Sequence, residues 1–141
     1  MTIRRADAAW TGSLREGSGE LALESGAFRG PYTFKARFEQ GAETNPEELL
    51  GAAHAGCFTM ALVAMLGREK ITPTGIRTTA AVHLEQRDGG FAIPRIELTT
   101  RANIPGITAE RFAALAADAK GNCPVSRALA GVEITLDAAL E

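Results

Sequence analysis

Two cysteines are the residues of this sequence most able to do chemistry, and they lie far apart in a chain of 141 residues. Two are too few for a disulfide-rich scaffold, and the interval between Cys57 and Cys123 is too long for a local C-x-x-C motif. In a reducing compartment such a pair indicates redox chemistry. Counting alone favours two unrelated buried thiols, so both interpretations stay open at this point.

Cys57 lies in a run without charged residues, from Leu49 to Gly67. Burial in such surroundings raises the pKa of a thiol and makes it inert unless a cation or a helix N-terminus lies nearby. Gly51 and Gly56 weaken the predicted helix, so we expect a kink just before Cys57, with free backbone N–H groups directed at the sulfur. The alternative is a small core residue at helical spacing.

Cys123 stands directly before Pro124. Proline favours the first turn of a helix, so this order predicts that Cys123 caps a short helix, with its thiol at the positive end of the helix dipole. An ordinary buried cysteine in a turn is equally consistent with the sequence.

His54 stands three positions before Cys57 and shares its predicted helix face, where it could act as a general base or a metal ligand. The other histidine is His83, and no closely spaced ligand pair of the zinc-finger type is present. We therefore expect no metal ion and no other cofactor. Both histidines are more simply interpreted as polar residues that are hydrogen-bonded in the fold or partly exposed.

Arg37 and Glu47 lie on the two predicted elements that precede Cys57. Arg37 shares the polar face of a predicted strand with Lys35 and Glu39, which usually means a solvated face. Glu47 falls in the first turn of the predicted helix, where carboxylates serve the helix dipole or a capping box. An unbroken helix puts Glu47 about 15 Å from Cys57. Any link between them must then pass through a long cation or a break in the helix.

Hydrophobic periodicity predicts the elements that must position these residues. Apolar and polar residues alternate in about six predicted strands, joined mostly by hairpin-like turns. These strands lie near Trp10 and at residues 21–23, 32–38, 76–84, 96–100 and 132–138. The predicted helices run from the capping box at residues 44–47 to about Arg68, from Thr108 to Gly121-Asn122, and over residues 124–131. This order predicts an α+β fold with one antiparallel sheet, as a single domain over residues 1–141.

The first predicted helix is apolar on every side and must therefore be buried on every side. Its length approaches that of a membrane span, but its Ala and Gly content, His54 and Thr59 favour a buried helix of a soluble protein. The sheet and the amphipathic helix of one chain would cover about half of its circumference. We therefore expect an intertwined homodimer in which two such helices meet at small residues such as Gly51 and Gly56. A monomer whose sheet curls around the helix is the alternative.

The charge balance narrows the partners and the compartment. The formal net charge is −2, with 15 basic and 17 acidic residues scattered along the chain. Without a basic stripe, nucleic acid is not an expected partner. The first residues are charged where a signal peptide needs an apolar segment, so we expect a cytoplasmic protein that does not insert into a membrane.

Three segments carry a resemblance to a known family: TNPEELLGAAHAGCFTMAL (residues 44–62), NCPVSRAL (residues 122–129) and the closing VEITLDAAL. Together with the order of elements, they resemble the OsmC branch of the OsmC/Ohr family, over essentially the whole chain. The resemblance implies a thiol-dependent peroxidase for organic hydroperoxides, built as an intertwined dimer. By position, Cys57 matches the peroxidatic cysteine, Cys123 the resolving cysteine, Glu47 the motif glutamate and Arg37 the arginine of this branch.

The mechanism that this resemblance implies is a disulfide cycle. Arg37, held by Glu47, stabilises the Cys57 thiolate, which attacks the peroxide and becomes a sulfenic acid. Cys123 then forms a disulfide with it, and an external dithiol, such as a lipoylated protein, reduces the bridge. Two alternatives remain from the residues alone. One is a catalytically silent dimer that binds an apolar or electrophilic ligand, and the other is a metal-binding protein using His54 and the cysteines.

Overall fold

The computed structural model describes all residues of the chain, Met1–Glu141, which form two compact units, Met1–Leu49 and Leu50–Glu141. The first unit holds a three-stranded antiparallel sheet in the order β1-β2-β3, followed by a short helix. Its elements are β1 (Ala6–Thr11), β2 (Ser18–Leu23), β3 (Arg29–Tyr32) and α1 (Phe34–Phe38). The ring of Trp10 on β1 packs edge-on against the ring of Tyr32 on β3, with centroids 5.4 Å apart.

The third strand ends earlier than predicted, because residues 34–38 form α1 instead of continuing the strand. Thr33 caps this helix by accepting a hydrogen bond from the N–H of Ala36. Phe34 and Phe38 alternate with polar residues, but they are also four positions apart, so on a helix their rings meet at 4.8 Å. A short apolar alternation fits both periods, and the cap at Thr33 decides for the helix.

Helix α2 (Pro46–Arg68) begins one residue later than the predicted capping box requires. Its cap is Asn45, whose side-chain oxygen accepts from the N–H of Glu48 while its amide donates to the carbonyl of Ala36. The prediction of Thr44 and Glu47 as a capping box is therefore wrong. The carboxylate of Glu47 is left for another partner. The helix is also uninterrupted to Arg68, so it does not restart before Cys57 as predicted.

The second unit holds a three-stranded sheet, a two-stranded hairpin and two helices besides α2. Its elements are β4 (Gly75–Val82), β5 (Glu85–Arg87), β6 (Gly90–Ala92), β7 (Arg95–Asn103), α3 (Ala109–Asn122), α4 (Pro124–Ala128) and β8 (Glu133–Leu140). A tight turn joins β5 to β6, and its residues Asp88 and Gly89 both have positive φ, at 50° and 80°. Thr108 caps α3 as its sequence predicts.

The sheet arrangement corrects the prediction of one antiparallel sheet of six strands. The strands form three small sheets, and in the second three-stranded one the order is β4-β7-β8. Strands β7 and β8 pair in parallel, with Leu98 opposite Leu136. Parallel neighbours need a crossover connection, which α3 and α4 supply. Periodicity predicts individual strands well but contains no information on which strands pair.

Helix α2 buries one stripe of its surface within the chain. The buried residues on this stripe include His54, Phe58, Leu62 and Leu66. Gly51 is buried against β4, where an added Cβ would lie 3.4 Å from the carbonyl oxygen of Ala80, so it packs within the chain and is not on the helix–helix contact predicted for it. The opposite stripe is exposed: Ala52, Gly56, Met60, Val63 and Gly67. Burial on every side is thus not achieved by one copy of the chain. By length and composition alone, α2 could also cross a membrane, a property that core helices of soluble proteins share.

Candidate active site

The fold brings the two distant cysteines into contact. Cys57 lies in the middle of α2, and Cys123 lies at the junction where α3 ends and α4 begins. Both are free thiols, and each acts on the ionisation of the other. Cys57 is half-buried, whereas Cys123 is completely buried. Of the two cysteines, only Cys57 is therefore partly exposed to solvent.

Cys123 occupies the position that Pro124 predicts for it. It caps α4, and Pro124 stands in the first turn. The sulfur makes no full capping hydrogen bond, but it contacts the backbone N–H groups of Val125 and Ser126 and the hydroxyl of Ser126. Burial is the largest single influence and raises the pKa of Cys123. The contacts with Cys57, Ser126 and Val125 together outweigh it, so the pKa of Cys123 lies below the ordinary value.

Cys57 shows the opposite tendency. Burial raises its pKa, and the contact with the Cys123 thiol raises it further, against a smaller lowering by the N–H of Val125. The two thiols titrate as a pair, so the first proton is lost more easily than the second. Within the second unit, Cys123 is therefore the thiol that ionises first. This differs from the expectation of a Cys57 thiolate stabilised by a restarted helix, because α2 has no N-terminus at that position.

His54 lies on α2 near the two cysteines, and its hydrogen-bond partner is Ser126 on α4, not a carboxylate. It is completely buried, and its Nε2 lies 2.8 Å from Oγ of Ser126. No group of three or more His, Cys, Asp or Glu side chains is placed to hold a metal ion. His54 is therefore a buried polar residue with one hydrogen bond, whereas its Nδ1 has no partner, so the predicted satisfied residue is found only in part. Burial lowers its pKa, so it is neutral at neutral pH.

Ser126 is the residue of this site that the sequence analysis did not identify. It stands three positions after Cys123, so the first turn of α4 places both on one side. The sequence signal that could have indicated it is a hydroxyl one helical turn after a capping cysteine. Its buried partner on α2 could not be predicted, because that contact depends on how α4 packs.

Arg37 and Glu47 form an ion pair within the first unit. Nε and Nη2 of Arg37 both lie 2.8 Å from Oε1 of Glu47. The carboxylate is buried, while the guanidinium is 38% exposed and lies over the ring of Phe38. Arg37 is on helix α1, not on the solvated strand face predicted for it. The two residues are thus brought together, and the exposed edge of the guanidinium stays open to solvent.

The apolar residues next to Cys57 point in different directions. Phe58 is completely buried in the core, and Met60, one helical turn after Cys57, is 75% exposed. Phe58 therefore belongs to the core and not to a surface that a substrate could contact. Met60 lies on the exposed stripe of α2.

A partly exposed thiol in contact with a buried second thiol, on an α+β fold, is the arrangement that a thiol-dependent redox enzyme requires. A family model described as "OsmC-like protein" matches residues 39–137. Over 139 residues the chain is 50% identical to a protein named peroxiredoxin OsmC from Escherichia coli (strain K12), covering 97% of this chain and 96% of that one. It is 31% identical over 98 residues to organic hydroperoxide resistance protein OhrA of Bacillus subtilis, covering 68% and 67%.

Solved structures of organic hydroperoxide resistance proteins have the same fold as this chain. An organic hydroperoxide resistance protein from Elizabethkingia anophelis matches with a TM-score of 0.78 and 28% identity, over 99% of both chains. The organic hydroperoxide resistance protein OhrB of Bacillus subtilis matches with a TM-score of 0.76 and 25% identity, over 96% and 98%. The chain belongs to the OsmC-like family, as its sequence motifs predict, and is a thiol-dependent peroxidase of that family.

Proposed function

We propose that this peroxidase reduces organic hydroperoxides to alcohols, with Cys57 as the attacking residue. The observation that carries the proposal is the contact between two free thiols of which only Cys57 is accessible. The Cys57 thiolate attacks the terminal peroxide oxygen, an S–O bond forms and the O–O bond breaks. The alkoxide leaves and takes a proton, so the products are an alcohol and a sulfenic acid on Cys57.

In the second step the buried thiol closes the cycle. The Cys123 sulfur attacks the Cys57 sulfenic acid, an S–S bond forms, and the hydroxyl group leaves as water. An external dithiol then reduces the disulfide by thiol exchange, and a lipoylated protein is a carrier of suitable chemistry. The contact between the sulfurs supports this assignment, since the bond needs no large movement of the chain.

Arg37, positioned by Glu47, is proposed to supply the positive charge that Cys57 lacks within its own unit. A guanidinium beside the Cys57 sulfur would move the shared negative charge from Cys123 to Cys57 and then stabilise the departing alkoxide. The pairing of Nε and Nη2 with a buried carboxylate supports a positioning role for Glu47, because it fixes the plane of the guanidinium. Either subunit of a dimer could provide this arginine.

The proposal includes an intertwined homodimer in the cytoplasm, in which both units belong to one functional domain over residues 1–141. The exposed stripe of α2 supports the dimer, because it is apolar and rich in small residues that let two helices approach closely. Met60 at its centre is the kind of flexible apolar side chain that fills such contacts. Two free thiols are consistent with a reducing compartment.

Mass spectrometry after addition of one equivalent of an organic hydroperoxide tests the mechanism. The chain should lose two hydrogens, and digestion should join the peptides that contain Cys57 and Cys123. Cys57→Ser should abolish peroxide reduction. Cys123→Ser should still consume one equivalent, while dithiol-supported turnover stops. A Cys57→Ser protein that keeps substantial activity would exclude the mechanism, and a parent protein that gains no disulfide would favour a silent binding protein.

A further inference from the structure

A buried polar pair links α2 and α4 beside the cysteines. His54 and Ser126 are both buried, and they are joined by a hydrogen bond of 2.8 Å between Nε2 and Oγ. Burying a polar group costs free energy unless it is hydrogen-bonded. The neighbours of His54 on the buried stripe of α2 are apolar, Phe58 and Leu62 among them. An apolar side chain such as leucine would fill this buried position without the cost of burying polar atoms. That cost points to a role of the His54–Ser126 pair other than packing.

Ser126 connects this histidine to the proposed resolving thiol. Its hydroxyl also contacts the sulfur of Cys123. A chain of three buried side chains therefore runs from His54 through Ser126 to Cys123. The titratable side chain that acts directly on Cys123 is Cys57 on α2, and His54 reaches Cys123 only through Ser126. Lys120 on α3 is directed away, toward the carbonyl of Ile134.

The direction of the hydrogen bonds follows from the second ring nitrogen of His54. Nδ1 is buried and has no partner. A proton on Nδ1 would make it an unpaired buried donor, which is the costlier kind of unsatisfied group. We therefore assign the proton of the neutral ring to Nε2. Nε2–H then donates to Oγ of Ser126, and the hydroxyl hydrogen is directed to the sulfur.

We propose that His54 is a positioning residue that acts through Ser126 to prepare Cys123 for its attack on oxidised Cys57. The ring holds the Ser126 hydroxyl as a donor to the Cys123 sulfur, so Cys123 attacks as a thiolate. This inference rests on the disulfide cycle proposed above. In that step the S–S bond forms, the S–O bond of the sulfenic acid breaks, and hydroxide leaves. Solvent supplies the proton that makes it water, replacing the one that Cys123 lost on ionisation.

Titration of Cys123 by itself is the first test. In a Cys57→Ser protein, the ultraviolet absorbance of the thiolate reports Cys123 alone and needs no peroxide. His54→Leu and Ser126→Ala should each raise the pKa of Cys123 by about one unit, which lowers its thiolate fraction about tenfold at a pH below that pKa. His54→Gln should restore most of the original pKa, because its amide nitrogen can replace Nε2. His83→Gln is the matched control and should leave the pKa unchanged.

The second test follows the parent cysteine pair after rapid mixing with tert-butyl hydroperoxide. His54→Leu should slow the conversion of sulfenic acid to disulfide about threefold. The thiolate fraction falls about tenfold, but the thiolate of a weaker acid is more nucleophilic, which offsets part of that loss. Formation of the sulfenic acid should keep its rate. An unchanged Cys123 pKa in folded Ser126→Ala would overturn the proposal, as would equal shifts in His54→Leu and His54→Gln. A parent that forms no sulfenic acid would instead refute the proposed peroxidase cycle, while the titration still reports on Cys123.

Discussion

At the scale of single residues, the carboxylate of Glu47 uses one oxygen for two contacts. Oε1 accepts from both Nε and Nη2 of Arg37, while Oε2 is buried without a partner. A buried, unpaired carboxylate oxygen costs free energy, so this arrangement serves a purpose other than stability. Holding the guanidinium in one plane for a second anion is a purpose consistent with the geometry.

The pair makes a prediction about the attack step. Arg37→Ala should slow the reaction of the enzyme with hydroperoxide about 100-fold, the usual effect of removing one donor to a developing anion. Glu47→Gln keeps the shape but loses the charge, and it should cause a smaller loss. Stopped-flow measurement of the first step checks both variants. Arg29→Ala, which removes an exposed ion pair with Glu20, is the control. An unchanged rate in Arg37→Ala would transfer the role to another cation, such as Arg127.

His54 makes the stability of the protein depend on pH. Burial lowers its folded-state pKa below the ordinary value of 6.5. As the pH falls below about 6.5, the unfolded chain binds a proton that folded His54 does not, so the free energy of unfolding should decrease until the folded-state pKa is passed. Urea unfolding at several pH values measures this. His54→Gln should flatten that part of the profile, and a parallel decline in parent and variant would contradict the assignment.

At the scale of elements, α2 begins at Pro46 because Asn45 makes two hydrogen bonds. One satisfies the N–H of Glu48, and the other binds the end of α1 through the carbonyl of Ala36. The cap therefore joins the two helices that carry Arg37 and Glu47. Position along the sequence did not predict which of Thr44 and Asn45 would cap, since both residue types are good caps.

Removing that cap should weaken the fold by an amount that can be measured. Asn45→Ala should lower the free energy of unfolding by about 1 kcal/mol, with some further loss from the bond to Ala36. Chemical denaturation checks the value. Asn103→Ala, at an exposed position at the end of β7, is the matched control and should change little. Equal effects of the two substitutions would show that the cap contributes nothing specific.

The elements also show what could be predicted from the sequence. Period-two patterns identified β4, β7 and β8, and Pro124 correctly placed Cys123 at a helix cap. The prediction of a strand at residues 34–38 is wrong, because a pattern of five residues fits either period. The parallel pairing of β7 with β8, and with it the contact of Cys57 and Cys123, is non-local and leaves no trace in local periodicity.

At the scale of the whole molecule, the exposed stripe of α2 makes a prediction about assembly. The parent protein should be a dimer by light scattering. Met60→Glu, which puts a charge on the stripe, should shift it toward smaller or unfolded species. Leu14→Glu changes another exposed apolar residue, 62% exposed against 75% for Met60, and should leave the dimer intact. A monodisperse parent monomer would refute the dimer proposal.

The crossover between β7 and β8 has a consequence for biosynthesis. Cys57 leaves the ribosome before α3, α4 and β8 are made, because Cys123 lies within that late connection. A half-made chain therefore exposes a thiol whose partner does not yet exist. Oxidant that reaches it in this interval leaves a sulfenic acid that Cys123 cannot yet convert to a disulfide, and its further oxidation to sulfinic or sulfonic acid is irreversible. A protein that removes oxidants is in this respect most vulnerable to them while it is being translated.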